Sequence, residues 1–276
     1  MKKDFYITII TLTKNDNLGF FRTFKSIINQ RINKNVEVLI LDGSNQDKFE
    51  KNKNILQNFS IKNYSNKKNL FFKHIKMDSK QIKGIYPSMN YGLSICKGKS
   101  IIFLNGGDSF FDNYSLRKLD DSFYNYYKTI SFGQAKIISK IGLSWNFPGS
   151  KMKNIDLWLK FFEPNHQAMM VSADIAKNTF FCEESKISAD KFWKRDVLRK
   201  ADSVCYIDSP VCNFFLDGTS SKRPNKEILL VQIKDKNISF LEKFITLSKF
   251  LINPNIYKFF PYLQKIKSII IDFIFK

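Results

Sequence analysis

The chain has 276 residues and 43% of them are hydrophobic, so it has enough apolar residues for one large or two small globular domains and is not intrinsically disordered. Its formal net charge of +20 favours an anionic partner, and charge alone leaves nucleic acid, an acidic membrane surface and a phosphorylated substrate open. Four cysteines without CxxC spacing and only two histidines argue against a structural zinc site and favour reduced thiols in a cytosolic protein.

The N-terminus is not expected to be a secretory signal. Its apolar run, FYITIITL, is short and interrupted by threonines, and no cleavage site of small residues follows. No stretch reaches the roughly 18 apolar residues that a transmembrane helix needs.

The first half of the chain alternates between predicted strands and predicted helices. β-branched and apolar runs predict strands at 5–12, 36–41, 70–75 and 100–104, and apolar residues at helical spacing predict helices at 17–30, 48–59 and 86–98. In the last helix Pro87 suits the first turn and Gly98 the stop. This alternation predicts a parallel α/β sheet, in which ligands bind beyond the carboxyl ends of the strands.

Two acidic residues follow predicted strands at this edge. Asp42 comes after the second strand, and Asp108 follows the fourth through Asn105, Gly106 and Gly107. The two glycines leave room for a ligand or ion to approach the backbone. An ordinary glycine-containing turn is the simpler interpretation of the same residues.

The second half has a mixed pattern. Strands are predicted at 129–138 and 166–172, a helix at 187–201, and then short strands with a glycine-bearing loop at 217–220. From about residue 224 the chain is rich in lysine and aromatic residues at amphipathic spacing. This segment is predicted to be helical, either as a cap on the core or as helices lying on an anionic membrane.

The chain resembles family 2 glycosyltransferases of the GT-A fold, in particular the bacterial polysaccharide type, over roughly residues 5–221. The resemblance rests on six blocks that occur in the family's order: ITIITLTKNDNLGFFRTFKSIINQ, VEVLILDGSNQD, KGIYPSMNYGLSICKGKSIIFLNGGD, NHQAMMVS, ISADKFWKRDVLRK and FFLDGTSS. It implies a GT-A domain over 1–223, with a nucleotide-sugar-binding half (1–128) and an acceptor-binding half (129–223). A helical, membrane-associating extension would follow over 224–276.

The resemblance also implies the roles of individual residues. Asp108 matches the last residue of the family's DXD-type motif and would bind Mg²⁺ or Mn²⁺, with His166 as a second contact to the metal or diphosphate. Asn105 and Gly106 stand where many members have carboxylates. Asp42 would bind the donor's base, usually uracil. The remaining donor-binding residues implied by the match are Thr11, Thr13, Asn15, Asn90, Asn105, Gly106 and Gly107.

Asp190 matches the family's acceptor-side carboxylate, so it would be the general base of an inverting transfer. Its simpler role is to place a negative charge at the start of a helix, and both roles are compatible. Glu183, Glu184 and Asp196 lie nearby in the sequence and are ranked lower. The block around 82–87 departs from the family, because Ile82 replaces an acid and Pro87 an aspartate.

The implied function is transfer of a sugar from a nucleotide-sugar, usually a UDP-sugar, to a saccharide or lipid-linked saccharide in cell-surface polysaccharide or lipooligosaccharide synthesis. The enzyme would work in the cytoplasm, peripherally on the inner face of the membrane. Three alternatives stay open: a basic nucleic-acid-binding protein, a nucleotidyltransferase on a similar sheet, and a catalytically silent relative that acts as a scaffold. Scattered lysines and the absence of an RNP, KH or zinc-finger pattern argue against the first.

Overall fold

The computed structural model describes residues 4–63, 69–78, 82, 84–123, 125–149, 152–184, 189–216, 229–230, 233, 243–244, 247, 250–251 and 259–275. The predicted loop at 217–220 and most of the predicted helical extension lie outside these residues. The elements of the first half are β1 (Ile7–Thr13), α1 (Asn17–Ile28), β2 (Val36–Asp42), α2 (Gln46–Asn63), β3 (Leu70–Lys76), α3 (Ile85–Ile95), β4 (Ser100–Phe103), β5 (Ser109–Phe110) and α4 (Ser115–Asp121).

The elements of the second half are β6 (Thr129–Ile138), β7 (Ser144–Phe147), α5 (Ile155–Phe161), a 3₁₀ turn (His166–Ala168), β8 (Met169–Ser172), α6 (Ala173–Ala176), α7 (Ala189–Lys200), β9 (Ser203–Phe215) and α8 (Phe260–Phe275). The described strands form one mixed sheet in the order β3-β2-β1-β4-β8-β6-β9-β5, with β7 paired to β6. The sheet is continuous across the predicted boundary at residue 128, because β4 pairs with β8. The predicted α/β architecture is therefore confirmed.

The first four strands are parallel, with β1 between β2 and β4. Every residue of β2 and β4 is buried, as expected for strands that are covered on both faces and therefore read as unbroken apolar runs. On one face α1 contributes Phe20 and Phe24 to a core cluster, and its first turn is capped by Asp16, which accepts a hydrogen bond from the Gly19 amide at 2.8 Å. On the other face α3, α5, α7 and α8 pack over a second cluster.

Three local predictions differ from the structure. The predicted strand at 166–172 begins as a 3₁₀ turn, and β8 starts only at Met169, because Asn165 caps the turn by accepting from the Gln167 amide at 2.9 Å. The short strands predicted after residue 202 are one 13-residue strand, β9. Gly98 does not end α3, whose C-cap is Cys96. Its backbone instead approaches β1 so closely that a Cβ would lie 2.5 Å from the Thr8 amide nitrogen.

The C-terminal helix α8 packs on the second half of the domain. Its Ile271 and Phe275 join the second core cluster, and Phe275 contacts Phe162 edge to face with the ring centroids 5.8 Å apart. Asp272 accepts a hydrogen bond from the Gly149 amide at 2.9 Å. Within the described part of the chain, no helix is both long enough and apolar enough to cross a membrane.

Candidate functional site

The turn after β4 carries the sequence NGGD at the carboxyl edge of the sheet, and each glycine has its own structural reason. The Gly106 amide donates to the Leu12 carbonyl of β1 at 2.7 Å, and a Cβ on Gly106 would lie 2.9 Å from that carbonyl oxygen. Gly107 has a φ of +105°, a conformation that residues with a Cβ rarely adopt. A Cβ on Gly107 would meet nothing within 4 Å, so this part of the turn borders open space.

Asp108 ends the turn in a buried position, where two neutral hydrogen-bond donors contact its carboxylate. One carboxylate oxygen accepts from the Phe215 amide of β9 at 2.8 Å, and the other accepts from the Gln167 side-chain amide. A carboxylate has about four acceptor sites, and these two bonds use two of them. Oxygen ligands suit Mg²⁺ and Mn²⁺, which are bound by one or two carboxylates together with waters and substrate phosphates.

The residues therefore fit a cation that is shared with a substrate. No group of three or more His, Cys, Asp or Glu side chains that could hold a metal ion by themselves occurs among the described residues. Asp108 would be the protein's ligand, and most of the coordination shell would come from the diphosphate and water.

Buried oxygen atoms without a hydrogen-bond partner lie at the same edge of the sheet. They are the side-chain oxygens of Thr11, Thr13 and Asn105, as far as the described residues go. Leaving a buried polar atom unpaired costs about 1–3 kcal/mol, and such atoms are normally satisfied by water or ligand. Thr13 also lies directly against Gly106. The site therefore has unused hydrogen-bonding capacity next to the NGGD turn.

Asp190 lies in the first turn of α7 and faces three polar side chains. Its Oδ1 accepts from the Tyr86 hydroxyl at 3.2 Å, and its Oδ2 lies 3.8 Å from the Lys194 ammonium and 3.7 Å from Nδ1 of His166. Although burial alone would raise the pKa of Asp190, the Lys194 charge and the Tyr86 hydrogen bond lower it below the ordinary value. The side chain is 30% exposed, so an ionised carboxylate remains accessible to a second substrate.

His166 connects this carboxylate to the turn after β4. Burial lowers the pKa of its ring to about 4; the Asp190 charge raises the pKa in part, and the nearby Lys194 charge adds to the lowering, so the ring is neutral at pH 7. The Asn105 side-chain nitrogen lies 3.4 Å from His166 Nε2. With the Asn105 amide in this orientation, Nε2 accepts and the ring proton is on Nδ1, on the side of Asp190; a flipped amide would reverse these roles.

The structure thus brings four of the predicted residues together: Asp108, Asn105, His166 and Asp190. They come from the ends of β4, the turn before β8 and the start of α7. Gln167 joins two of them, because its side-chain nitrogen donates to Asp108 and its side-chain oxygen accepts from the Asn105 backbone N–H at 3.0 Å. His166 is the residue next to Gln167, and its ring faces Asp190. This places two carboxylates, the buried Asp108 and the accessible Asp190, at one end of one sheet.

A family model described as Glycosyl transferase family 2 matches residues 8–176, which is more than half of the chain.

The chain belongs to glycosyl transferase family 2.

Solved structures with a similar fold include proteins in complex with a nucleotide or a nucleotide-sugar. A 1–349 fragment of S. aureus TarS in complex with UDP-GlcNAc has a TM-score of 0.60 at 16% identity, covering 89% of this chain and 71% of that one. The same fragment with UDP has a TM-score of 0.57 at 16% identity, covering 89% and 70%. The mannosyltransferase PcManGT from Pyrobaculum calidifontis, in complex with GDP-Man and Mn²⁺, has a TM-score of 0.55 at 10% identity, covering 95% and 69%.

At these identities the likeness shows the GT-A fold alone. Comparison with curated protein sequences finds no match.

In this glycosyltransferase Asp42 lies at the end of β2 and is completely buried. Its Oδ1 accepts from the Ser44 amide at 2.9 Å, and its Oδ2 accepts from Asn52 at 2.8 Å and contacts His74 Nε2 at 3.0 Å. Burial would raise the pKa of this carboxyl, but the hydrogen bonds from His74, Asn52 and Ser44 lower it to about 2. Both oxygens are used by the protein in this conformation, and direct contact with the donor's base stays a prediction.

Two predicted donor-binding asparagines make structural contacts. Asn15, at a positive φ of 56°, donates its amide to the Ser44 hydroxyl at 2.7 Å and accepts from the Asn45 amide at 2.9 Å, so it ties the loops after β1 and β2 together. The Asn90 side chain both accepts from and donates to the backbone of Phe181, at 2.8 and 2.9 Å. It thereby fixes the segment before α7, and its role in donor binding stays a prediction.

Sequence reasoning missed several residues that contact the predicted site residues. Tyr86 and Gln167 stand inside blocks that carry the resemblance, so their positions could have been singled out from the motifs. Lys194 is one helical turn after Asp190, a spacing that predicts contact. His74 and Asn52 left no signal, because they reach Asp42 only through the packing of β3 and α2.

Proposed function

We propose that this family 2 glycosyltransferase moves a sugar from a nucleotide-sugar donor, a UDP-sugar, to a saccharide or lipid-linked saccharide, with inversion at the anomeric carbon. The pathway we propose is cell-surface polysaccharide or lipooligosaccharide synthesis. The observation that carries the proposal is the arrangement of Asp108 and Asp190 about the His166–Gln167 pair, which would serve as a diphosphate site and a general base at one edge of the sheet. The structure of TarS was determined with UDP-GlcNAc and that of PcManGT with GDP-Man, and this supports a nucleotide-sugar as the donor.

In the proposal the donor lies along the carboxyl ends of β1, β2 and β4. The donor's nucleobase binds near Asp42 and Asn15, with Asn90 behind it. The unpaired oxygens of Thr11, Thr13 and Asn105 supply hydrogen bonds to the ribose and phosphates. The open space beside Gly107 leaves room for the diphosphate, and Gly106 lets the turn pack closely against β1. Asp108, with His166 close by, would hold a divalent cation, which when bound neutralises the charge that develops on the departing diphosphate. The structure of PcManGT was determined in complex with Mn²⁺.

Asp190 is proposed as the general base. Its Oδ1 is oriented by the Tyr86 hydroxyl, while Oδ2 lies beyond hydrogen-bonding distance of both His166 and Lys194 and is open to an acceptor hydroxyl. As that hydroxyl attacks the anomeric carbon, its proton passes to Oδ2. Attack from the face opposite the leaving diphosphate inverts the anomeric centre.

We also propose that the enzyme works at the cytoplasmic face of a membrane, through α8. Seven apolar side chains of this helix are between 45% and 84% exposed: Tyr262, Leu263, Ile266, Ile269, Ile270, Phe273 and Ile274. At about 100° per residue they form one stripe, opposite to the buried Ile271 and Phe275. Lys265 and Lys267 fall on the two borders of the stripe.

An apolar stripe with a lysine on each border suits an anionic bilayer in particular. The apolar side chains would enter the headgroup boundary, and the lysines would lie at the level of the acidic headgroups. The net charge of +20 acts in the same direction. The partner is therefore proposed to be an anionic membrane surface, with a lipid-linked acceptor presented at it.

A panel of nucleotide-sugars tests the proposed function. Hydrolysis or transfer is measured with Mg²⁺ or Mn²⁺, for the wild type and for Asp108→Ala. We expect one UDP-sugar to turn over and the Asp108→Ala variant to lose nearly all activity while keeping its melting temperature within a few degrees. Near-normal turnover by Asp108→Ala would remove the metal role of Asp108.

The same panel separates the alternatives. Donor binding without any turnover would favour a silent scaffold. A complex with DNA or RNA that survives physiological salt in a gel shift, without donor binding, would favour nucleic acid as the partner.

A further inference from the structure

The buried Gln167 side chain spans the NGGD turn from end to end. Its Oε1 accepts from the backbone N–H of Asn105, the first residue of the turn, at 3.0 Å, and its Nε2 donates to the carboxylate of Asp108, the last residue. The glutamine amide accepts with its oxygen at one end of the turn and donates with its nitrogen at the other. A glutamate could serve Asn105 but could not donate to Asp108, and a leucine could do neither.

The chemistry of this contact suits a carboxylate that waits for a cation. A lysine or arginine at this position would also hold Asp108, but it would cancel the negative charge and compete with the metal ion. The Gln167 amide and the Phe215 N–H orient the carboxylate without neutralising it. These two bonds hold the Asp108 carboxylate in one orientation, and neither donor carries a charge.

Gln167 also relates the two ends of the site to each other. It stands next to His166, whose ring faces Asp190, and both residues belong to one 3₁₀ turn that runs directly into β8. The position of the cation-binding carboxylate relative to the base is therefore set by two adjacent side chains. We propose that Gln167 is a positioning residue for the donor diphosphate and its cation, a role that rests on the proposed function of Asp108.

The test compares Gln167→Leu with a matched control, Gln30→Leu. Both glutamines are 2% exposed, and each spans a short turn with the two ends of its side-chain amide. Gln30 donates to the Asp112 carbonyl at 2.7 Å and accepts from the Leu116 amide at 2.8 Å, and it makes no contact with Asp108 or Asp190 among the hydrogen bonds described. Titration calorimetry with UDP and with GDP, each with MnCl₂, measures affinity, and thermal unfolding measures stability.

We expect Gln167→Leu to weaken nucleoside diphosphate and Mn²⁺ binding by at least about tenfold and to lower kcat as well. Gln30→Leu should lower the melting temperature by a similar amount without changing either. In Gln167→Glu a second carboxylate faces Asp108, so Mn²⁺ should raise the melting temperature of this variant more than that of the wild type. A Gln167→Leu enzyme with wild-type affinity and kcat would overturn the proposal.

Two further measurements keep the outcome decisive. If Gln167→Leu does not fold, the Mn²⁺-dependent stabilisation of Gln167→Glu decides, and no excess over the wild type counts against the proposal. If the wild type binds neither diphosphate, the function proposed for Asp108 fails by itself. The contact between Gln167 and Asp108 is then tested without ligand. The losses in melting temperature of Gln167→Leu and Asp108→Ala should not add in the double variant, because both substitutions remove the same contact. Additive losses would overturn the proposal.

Discussion

At the scale of single residues, the role proposed for Asp190 as general base requires a carboxylate that is ionised, oriented and accessible at the same time. Lys194 and the Tyr86 hydroxyl hold its pKa below the ordinary value, and its 30% exposure leaves one oxygen open. His166 is neutral and does not compensate the charge of the base. The environment therefore keeps the carboxylate charged at neutral pH. Its exposed oxygen, and not a raised pKa, would allow it to accept a proton from an acceptor hydroxyl.

The variant Asp190→Asn tests the base directly. It keeps the shape of the side chain and a hydrogen-bond acceptor for Tyr86, but it cannot take a proton, so kcat should fall by about 10²–10⁴-fold while donor affinity stays near normal. Asp196→Asn is the control, because Asp196 lies on the same helix and pairs only with Arg199 in the ion pairs described, at 3.5 Å. NMR of the anomeric proton reads the configuration of the product. A fully active Asp190→Asn enzyme, or a product with retained configuration, would contradict the mechanism.

At the scale of elements, α8 has two opposite faces with different tasks. Ile271 and Phe275 belong to the core of the domain, and the exposed stripe is available to a membrane. Deleting the helix would expose the core, so loss of membrane binding after a deletion would have two explanations. Substitutions in the stripe alone avoid this ambiguity.

We expect the triple variant Ile266→Asp, Ile270→Asp and Phe273→Asp to stop sedimenting with vesicles that contain phosphatidylserine, while its melting temperature changes little. The wild type should sediment with these vesicles less as salt increases, and should not sediment with purely zwitterionic vesicles. Leu18→Asp is the control, because Leu18 is 82% exposed on α1. A triple variant that sediments like the wild type would show that α8 does not bind the membrane.

At the scale of the whole molecule, Asp42 links folding stability to pH. The pKa of this carboxyl is about 2 in the folded protein and 3.8 as a reference for the unfolded chain. A depressed folded pKa stabilises the protein above the unfolded value, and this stabilisation is lost as the pH falls from about 4 towards 2. The difference corresponds to about 2 kcal/mol.

Urea unfolding of Asp42→Asn should therefore give a free energy of unfolding about 2 kcal/mol below that of the wild type at pH 7, with the two values converging near pH 2. Asp47→Asn, which changes an exposed carboxylate of α2, should follow the wild type throughout. A constant difference between Asp42→Asn and the wild type from pH 7 to pH 2 would show that the Asp42 charge does not cause the loss.

The sequence by itself determined β1 to β4, α1 to α3, β6 and the family. Apolar periodicity and turn residues are local properties, so the buried runs of β1, β2 and β4 could be recognised, and both Asp42 and Asp108 could be placed at strand ends. The ordered motif blocks then indicated a family 2 glycosyltransferase, which the family match confirms.

Only the tertiary structure decided which polar groups meet. Gln167 contacts Asp108 across 59 residues and Tyr86 contacts Asp190 across 104, and no spacing rule relates such pairs. The Asn90 amide holds the Phe181 backbone for the same reason. Apolar burial is tolerant of which partner covers a residue, whereas a hydrogen bond needs two particular atoms within about 3 Å, and that is fixed only when separate elements have packed together.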